Sequence, residues 1–190
     1  RMALHVLWQG YRSGALHPGD PIFEATSGNT GISIAAIGRA LGHPVTIFMP
    51  EWMSAERIGL IRSLGARIEL VSREAGGFLG SIESAEKAAK ALPRAFLPRQ
   101  FSNADNIEAH ALTTGPEIWR QTGGKVDGFI CAVGTGGTLA GVARALRERK
   151  PAVVIGLADP PGAALYSSYT TGELKAEGAS ITEGIGQGRV

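Results

Sequence analysis

Short apolar runs alternate along the chain with longer segments in which apolar residues recur every three or four positions. The first pattern is typical of β-strands and the second of helices that bury one face. Because the runs are apolar at nearly every position, they predict parallel sheets covered by helices on both faces. We expect strands at residues 21–25, 45–49, 67–71, 95–97, 128–133 and 153–158.

The helical segments lie between these runs. A helix is expected at the start of the chain, and Ser54 is placed to cap the N-terminus of another. The segment after residue 106 should bend or break near Gly115-Pro116, because proline lacks a backbone N–H donor. Residues 159–181 are expected to form an irregular segment of the second domain. The other expected helices span residues 30–41, 55–64, 81–92, 106–121 and 139–149.

This alternation predicts an α/β fold with two domains. Composition changes around residues 100–105, and we place the boundary there. The first domain would span residues 1–103 and the second residues 104–190. Each is expected to be a three-layer αβα arrangement around a mostly parallel sheet.

Composition excludes several classes of function. The 190 residues are 44% hydrophobic, enough for a substantial core, and the net charge of +2 comes from interspersed basic and acidic residues. This pattern lacks the basic patch of a nucleic-acid or membrane surface. No apolar segment reaches the roughly 18 residues of a membrane span. Cys131, the single cysteine, lies in an apolar run and is interpreted as a small buried residue, compatible with a reducing compartment.

A glycine-rich turn, Thr26-Ser-Gly-Asn-Thr-Gly31, follows the first predicted strand and opens a predicted helix. Its glycines leave backbone N–H groups accessible, and the helix end adds a positive dipole. The hydroxyl and amide side chains of the turn could complete a carboxylate-binding site. Ordinary helix capping is the alternative, but six such residues directly after a strand favour an anion site.

A second turn, Gly134-Thr-Gly-Gly-Thr138, has the same position between a strand and a helix. Its glycines allow a phosphate close to the backbone, and its threonines supply hydroxyl donors. It is not a Walker loop, because no Lys-Ser or Lys-Thr pair follows. Leu139 stands where the dinucleotide fingerprint needs its third glycine, although Asp159 is placed like a ribose-binding acid. A non-nucleotide phosphate is favoured, with a nucleotide or a bare packing turn as alternatives. Two such turns predict a ligand held at both ends.

Together with three further motifs, these turns resemble the cysteine synthases, or O-acetylserine sulfhydrylases. This family belongs to the pyridoxal-phosphate enzymes of fold type II, which have a fold similar to the tryptophan synthase β chain and include cystathionine β-synthase. The order and spacing of five motifs match over essentially the whole chain, which makes the resemblance specific. The motifs are Thr26-Ser-Gly-Asn-Thr-Gly31, Met49-Pro-Glu-Trp-Met-Ser-Ala-Glu-Arg57, Gln100-Phe-Ser-Asn103, Gly134-Thr-Gly-Gly-Thr138 and Glu183-Gly-Ile-Gly186.

The resemblance implies a role for each matching residue. The first domain would be the smaller one and would carry the turn that binds the substrate carboxylate. The second would be part of a larger domain and would carry the turn that binds the phosphate of pyridoxal 5'-phosphate. Asn29 would donate to the oxygen on the cofactor ring, and Gly184 and Gly186 would border the mouth of the site. The implied cofactor-binding residues are Asn29, Gly134, Thr135, Gly136, Gly137 and Thr138, and the implied substrate-binding residues are Thr26, Ser27, Asn29, Thr30, Gln100 and Gly184.

The lysine that carries the cofactor as a Schiff base in this family has no counterpart in the chain. In the family it begins a Lys-Asp-Arg run, and Arg1 resembles the end of that run. We therefore expect the lysine two residues before Arg1, and the serine that partners the pyridine nitrogen beyond Val190. The chain would then be an incomplete enzyme, truncated at both ends and inactive alone. The lysines that are present are Lys87, Lys90, Lys125, Lys150 and Lys175.

The resemblance implies β-replacement on an activated L-serine, in which O-acetylserine reacts with sulfide to give L-cysteine. It also implies a cytoplasmic homodimer, with the C-terminal tail of serine acetyltransferase as a candidate partner. Cystathionine β-synthase, and a lyase or dehydratase acting on serine or threonine, are alternatives of the same fold. An inactive binding partner of serine acetyltransferase and a nucleotide-binding regulatory domain are alternatives of other classes.

The histidines and tryptophans enter neither turn. The histidines lack metal-ligand spacing and a serine–histidine–aspartate arrangement, so we expect surface or helix-capping roles and no metal site. The tryptophans are interpreted as packing residues. These residues are His5, His17, His43, His110, Trp8, Trp52 and Trp119.

Overall fold

A computed structural model gives the fold and describes residues 1–177 and 184–186. The chain separates into two compact units, Arg1–Asn103 and Ala104–Val190. No helix in these described ranges is long and apolar enough to cross a membrane. Unit 1 contains α1 (Met2–Ser13), β1 (Ile22–Ala25), α2 (Asn29–Ala40), β2 (Val45–Pro50), α3 (Ala55–Ser63), β3 (Arg67–Val71) and α4 (Gly77–Lys90). Unit 2 contains α5 (Asp105–Ala109), a π turn (His110–Thr114), α6 (Gly115–Gln121), β4 (Gly128–Ala132), α7 (Gly137–Arg147), β5 (Val154–Ala158) and α8 (Ala164–Thr171).

Unit 1 is built on a parallel sheet in the order β1-β2-β3. Alternate side chains along a strand point to opposite faces. Ile22 and Ile47 therefore pack on the face that carries α2, while Phe23 and Phe48 pack on the face that carries α4. The unit is thus an αβα arrangement of three layers, as expected from the apolar runs.

Two expectations for unit 1 need correction. The strand expected at residues 95–97 is a single bridge between Phe96 and Ile22, because Pro93 and Pro98 flank it and cannot donate to a ladder. Helix α4 begins at Gly77, four residues before the expected start. By contrast, Ser54 caps α3 as expected, since its side chain accepts a hydrogen bond from the backbone N–H of Arg57.

His43 is fully buried, contrary to the expectation of a surface or capping role. Its Nδ1 lies 2.8 Å from the backbone carbonyl oxygen of Asp20, and its Nε2 lies 2.5 Å from the hydroxyl of Tyr11. A carbonyl oxygen only accepts, so Nδ1 carries the proton and Nε2 accepts from the tyrosine. The ring therefore bridges α1 and the approach to β1. Because these partners are distant in sequence, the local sequence pattern did not indicate the pairing.

Two tryptophans also differ from expectation. Trp8 and Trp52 are about half exposed, and each ring is covered by a guanidinium group, from Arg12 at 4.6 Å and Arg73 at 4.8 Å. Such cation–π contacts stabilise an exposed ring without burying it. Trp119 packs against the core of unit 2, as expected.

Unit 2 contains a parallel pair of strands, β4 and β5, joined through α7. Val142 and Leu146 on α7 pack with Phe129 and Ile155 on one face of the pair. We expected helices on both faces, but on the other face Ile130 is 68% exposed within the described residues. Cys131 is half-buried rather than buried, and desolvation raises the pKa of its thiol, so it is not an activated nucleophile.

The long helix expected at residues 106–121 is interrupted earlier than proline predicts. The π turn at His110–Thr114 precedes Gly115-Pro116, so the proline occupies the first turn of α6, where its missing N–H costs nothing. A Cβ atom on Gly115 would lie 2.4 Å from the Cβ of Ala145, which shows how closely this segment approaches α7. Residues 159–181 were expected to be irregular, but they include α8.

Candidate functional site

The first glycine turn joins the carboxyl end of β1 to the N-terminus of α2. Gly28 is the N-cap residue, with φ of 155°, and it has no side chain to cover the helix end. The first N–H groups of a helix have no carbonyl partner within that helix. Residues 29–32 carry neutral side chains, so the positive end of the dipole is not neutralised locally. The turn is therefore suited to an anion.

Gln100 reaches this turn from a distant part of the sequence. Its Nε2 donates to the backbone oxygen of Ala25 at 2.7 Å, and its Oε1 accepts from the hydroxyl of Thr30 at 2.6 Å, across 70 positions of sequence. The amide is 5% exposed and is held at both of its polar atoms. The structure thus brings together two residues that the resemblance assigned to substrate binding.

The other predicted residues of this turn have different surroundings. Thr26 is buried, and its Oγ1 accepts a hydrogen bond from the N–H of Gly28 at 3.1 Å. This bond fixes the turn and leaves the hydroxyl proton for a further acceptor. Ser27 is half-buried and Asn29 is exposed at the first position of α2. Their proposed contacts to substrate and cofactor stay predictions.

Glu24 is a residue of this region that the motif reading did not select. It is 3% exposed, and its carboxylate accepts hydrogen bonds from the N–H of Ala25 at 2.9 Å and from the N–H of Gln100 at 3.3 Å. Burial raises the pKa of Glu24 to about 7, although both hydrogen bonds and the charge of Arg99 act in the opposite direction. An acidic residue inside an apolar strand was the signal that could have found it.

The second glycine turn joins β4 to the N-terminus of α7. Gly136 caps the helix in the left-handed conformation, with φ of 85°, and again has no side chain to cover the N–H groups. A Cβ atom on Gly137 would lie 2.2 Å from the Oδ1 of Asn106, so the backbone and this side chain are in close contact. The turn therefore requires glycine for conformation at one position and for space at the next.

Two side chains outside the motif hold the threonines of this turn. Asn106, on α5, donates from Nδ2 to the Oγ1 of Thr135 at 2.9 Å. The Nε2 atom of His110 lies 3.2 Å from the Oγ1 atom of Thr138. The π turn carries His110, and such turns recur at functional sites because they re-aim a side chain. Sequence reasoning missed both residues, since their spacing to the turn becomes meaningful only after folding.

Gly184 and Gly186, expected at the mouth of the site, lie against the second turn. The N–H of Gly186 donates to the backbone oxygen of Val133 at 3.2 Å. A Cβ atom on Gly134 would lie 2.3 Å from the backbone oxygen of Gly184. Glu183, the first residue of that motif, lies outside the described residues.

Comparisons with known proteins identify the family of the chain. A family model described as "Pyridoxal-phosphate dependent enzyme" matches residues 1–190. The chain belongs to the pyridoxal-phosphate dependent enzyme family. The resemblance to the cysteine synthases and the α/β fold with parallel sheets, both inferred from the sequence, are confirmed by the relatives of this chain.

Among those relatives, cysteine synthase 1 of Neurospora crassa is 45% identical over the whole chain and 52% of its own length. Cysteine synthase A of Escherichia coli is 40% identical over 99% of the chain and 59% of its own length. The chain thus spans a little over half the length of these curated relatives.

Two solved structures are also similar. The hydrogen sulfide-producing enzyme from Fusobacterium nucleatum has a TM-score of 0.88 and 43% identity, covering 97% of this chain and 56% of that one. Cysteine synthase from Entamoeba histolytica has a TM-score of 0.86 and 37% identity, covering 97% and 53%.

The second turn fits the phosphate of the family's cofactor. The N–H groups that open α7 and the threonine hydroxyls are all potential donors, and residues 134–140 carry no acidic side chain. Such a donor set favours a dianion at a helix N-terminus. Asp159, which is placed like a ribose-binding acid, accepts through Oδ2 from the N–H of Tyr166 in the first turn of α8 at 2.9 Å.

The lysines of the chain lie away from both motifs in sequence, and several are engaged in ion pairs. Lys90 pairs with Glu86, Lys150 with Asp127 and Lys175 with Glu177. All three pairs lie at the protein surface, whereas a lysine activated as a nucleophile is desolvated in an apolar pocket or lies beside another cation. The cofactor-carrying lysine therefore has no candidate among these three residues.

We predict that Gly137→Ala in the full-length protein weakens pyridoxal-phosphate binding by at least about tenfold, because the new methyl group displaces Asn106 or the turn. The measurement is titration with pyridoxal phosphate and with pyridoxal, which lacks the phosphate, followed by absorbance. The preference for the phosphorylated form should be lost. Gly59→Ala is the matched control, since a Cβ atom there meets nothing within 4 Å. Unchanged preference in Gly137→Ala would contradict the assignment.

Proposed function

We propose that the full-length protein catalyses β-replacement on O-acetyl-L-serine, in which sulfide replaces acetate at Cβ and L-cysteine is formed. The observation that carries this proposal is the first turn, where the side chains of Thr30 and Gln100 join the open N-terminus of α2. The N–H groups that open α2 suit an amino-acid carboxylate, and the hydroxyl of Thr30 holds the Gln100 amide beside them. The relatives named cysteine synthase, at 40% and 45% identity, support the reaction class.

The proposed roles divide between the two turns. In unit 2, the backbone of residues 134–138 and the hydroxyls of Thr135 and Thr138 would hold the cofactor phosphate. When bound, pyridoxal phosphate supplies an electron sink for the pair released from Cα. In unit 1, the N–H groups of α2 and the side chains around them would bind the substrate carboxylate. Fixing the carboxylate orients the Cα–H bond of the amino acid for proton removal.

Carboxylate binding is expected to depend on several hydrogen bonds at once. A carboxylate that leaves water needs its lone pairs satisfied, and an unmade bond to a charged group costs about 1.5–3 kcal/mol. Thr26, Ser27, Thr30 and Gln100 are proposed to share this task with the backbone. The resemblance further predicts a cytoplasmic homodimer and docking of serine acetyltransferase, which stay predictions.

A second candidate function has support from the solved structures. The enzyme from Fusobacterium nucleatum, 43% identical, is named for producing hydrogen sulfide. The corresponding reaction would break the Cβ–S bond of cysteine, with water supplying the hydroxyl group that replaces sulfide, so that serine and sulfide are formed. An O-acetylserine-dependent cystathionine β-synthase from Helicobacter pylori, 32% identical with a TM-score of 0.88, represents another nucleophile. All three candidate reactions would use the same carboxylate and phosphate sites.

Three parallel assays of the full-length protein with pyridoxal phosphate separate these readings. The first supplies O-acetylserine with sulfide, the second O-acetylserine with homocysteine, and the third cysteine alone. We expect kcat/KM to be highest in the first assay. A higher value with homocysteine would favour cystathionine synthesis, and sulfide release from cysteine as the fastest reaction would favour the hydrogen sulfide-producing class. No turnover in any assay would favour a binding protein.

We predict that Gln100→Ala raises the KM for O-acetylserine about 10- to 100-fold, because the amide leaves both Thr30 and Ala25 without their partner. Affinity for pyridoxal phosphate should change by less than about twofold. Ser33→Ala is the control, since Ser33 is exposed one turn further along α2 and bonds to the backbone oxygen of Asn29. Loss of cofactor in Gln100→Ala, or an unchanged KM, would contradict the proposed role.

A further inference from the structure

A buried carboxyl group lies beneath the first glycine turn and has no part in the roles proposed above. Glu24 ends up inside the sheet because it faces the same side as Ile22, the side covered by α2. An acidic side chain at this depth is costly unless its oxygens accept hydrogen bonds. Its position therefore requires an explanation beyond packing.

The partners of Glu24 are the two backbone segments that frame the carboxylate site. One oxygen, Oε1, accepts from the N–H of Ala25 at 2.9 Å, and the other, Oε2, accepts from the N–H of Gln100 at 3.3 Å. The side chain of Gln100 then donates to the oxygen of Ala25. Carboxylate and amide thus link the end of β1 to residue 100 by two hydrogen bonds, across 76 and 75 positions of sequence.

We propose that Glu24 is a positioning residue for amino-acid binding, whose carboxylate holds the backbone of Gln100 so that its amide meets Thr30 at the first turn. This inference rests on the proposed function, because it assigns Glu24 to the same carboxylate site. Glu24 acts through Gln100 and does not itself touch the substrate. Glu24 bonds to the backbone N–H of residue 100, while the side-chain amide of Gln100 meets the turn.

The ionised form of Glu24 is the one that performs this task. Both partners are N–H donors, and a carboxylate accepts more strongly from both than a protonated carboxyl, whose hydroxyl oxygen is the weaker acceptor. Arg99 supplies the favourable positive charge, and its Nε is also paired with Glu86 on α4 at 3.0 Å. Burial raises the pKa of Glu24 to about 7, so the ionised form is gained as pH rises through neutrality.

The test is the steady-state kinetics of the full-length holoenzyme with O-acetylserine and sulfide. Glu24→Gln keeps the shape but places an NH₂ group opposite one N–H donor, so we expect KM for O-acetylserine to rise about tenfold or more. The kcat and the affinity for pyridoxal phosphate should change by less than about twofold. Glu24→Asp keeps the charge but withdraws the carboxyl by about 1.5 Å, so it should also raise KM.

Ser81→Ala is the control for a general loss of stability. Ser81 is fully buried in the same unit, and its Oγ donates to the backbone oxygen of Gly77 at 2.8 Å. It lies on α4 and not in the proposed site, so its variant should leave KM unchanged. A rise in KM common to both variants would overturn a specific role for Glu24, as would an unchanged KM or a loss confined to kcat in Glu24→Gln.

The pH profile gives a second readout of the same role. In the wild type, KM for O-acetylserine should fall as pH rises through about 7, because Glu24 then becomes ionised. The amine of O-acetylserine also titrates near this range, so the inflection is assigned by comparison with Glu24→Gln, whose profile should lack it. An inflection that persists in a folded Glu24→Gln would overturn the inference. A wild type that makes no cysteine would overturn the proposed function itself, whereas an active wild type with unaltered variants removes only the role of Glu24.

Discussion

The side-chain amide of Gln100 is the interaction on which the first turn depends. It joins the last residue of β1 to the first turn of α2, and so it fixes the donors on one side of the turn relative to the strand that precedes it. The sheet contributes by ending β1 at Ala25, in register with Phe48 of β2. Because the amide is nearly buried, its two bonds are protected from competition with water.

The two turns solve the same physical problem in different ways. Each opens a helix with a glycine N-cap, Gly28 in one and Gly136 in the other, which leaves the helix dipole and the N–H groups available to an anion. In unit 1 the supporting side chain is that of Gln100, near the end of the unit. The carboxylate of Glu24 accepts a hydrogen bond from the backbone N–H of Gln100. In unit 2 the supporting residues, Asn106 and His110, come from α5 and the π turn. The reaction proposed for the full-length protein uses both turns, and each turn has its own supporting side chains.

Sequence reasoning reached the features that depend on local pattern. Alternation and apolar runs located five of the six expected strands. Ser54 identified a helix start because its hydroxyl accepts a hydrogen bond from the backbone N–H three residues later. Residues whose role depends on distant partners were missed or placed wrongly. His43 and Glu24 are buried polar groups that each have a partner more than twenty positions away, and the π turn packs closely against α7. Motif resemblance supplied Gln100, which spacing alone would not have connected to the first turn.

The most direct test of the account is a crystal structure of the full-length protein with pyridoxal phosphate and L-serine, which lacks an activated leaving group. We predict that the serine carboxylate lies within hydrogen-bond distance of the N–H groups that open α2 and of the Thr30 hydroxyl or the Gln100 amide. We also predict the cofactor phosphate at residues 134–138. A carboxylate bound elsewhere, with the first turn occupied only by water, would contradict the central claim that this helix end binds the amino-acid substrate.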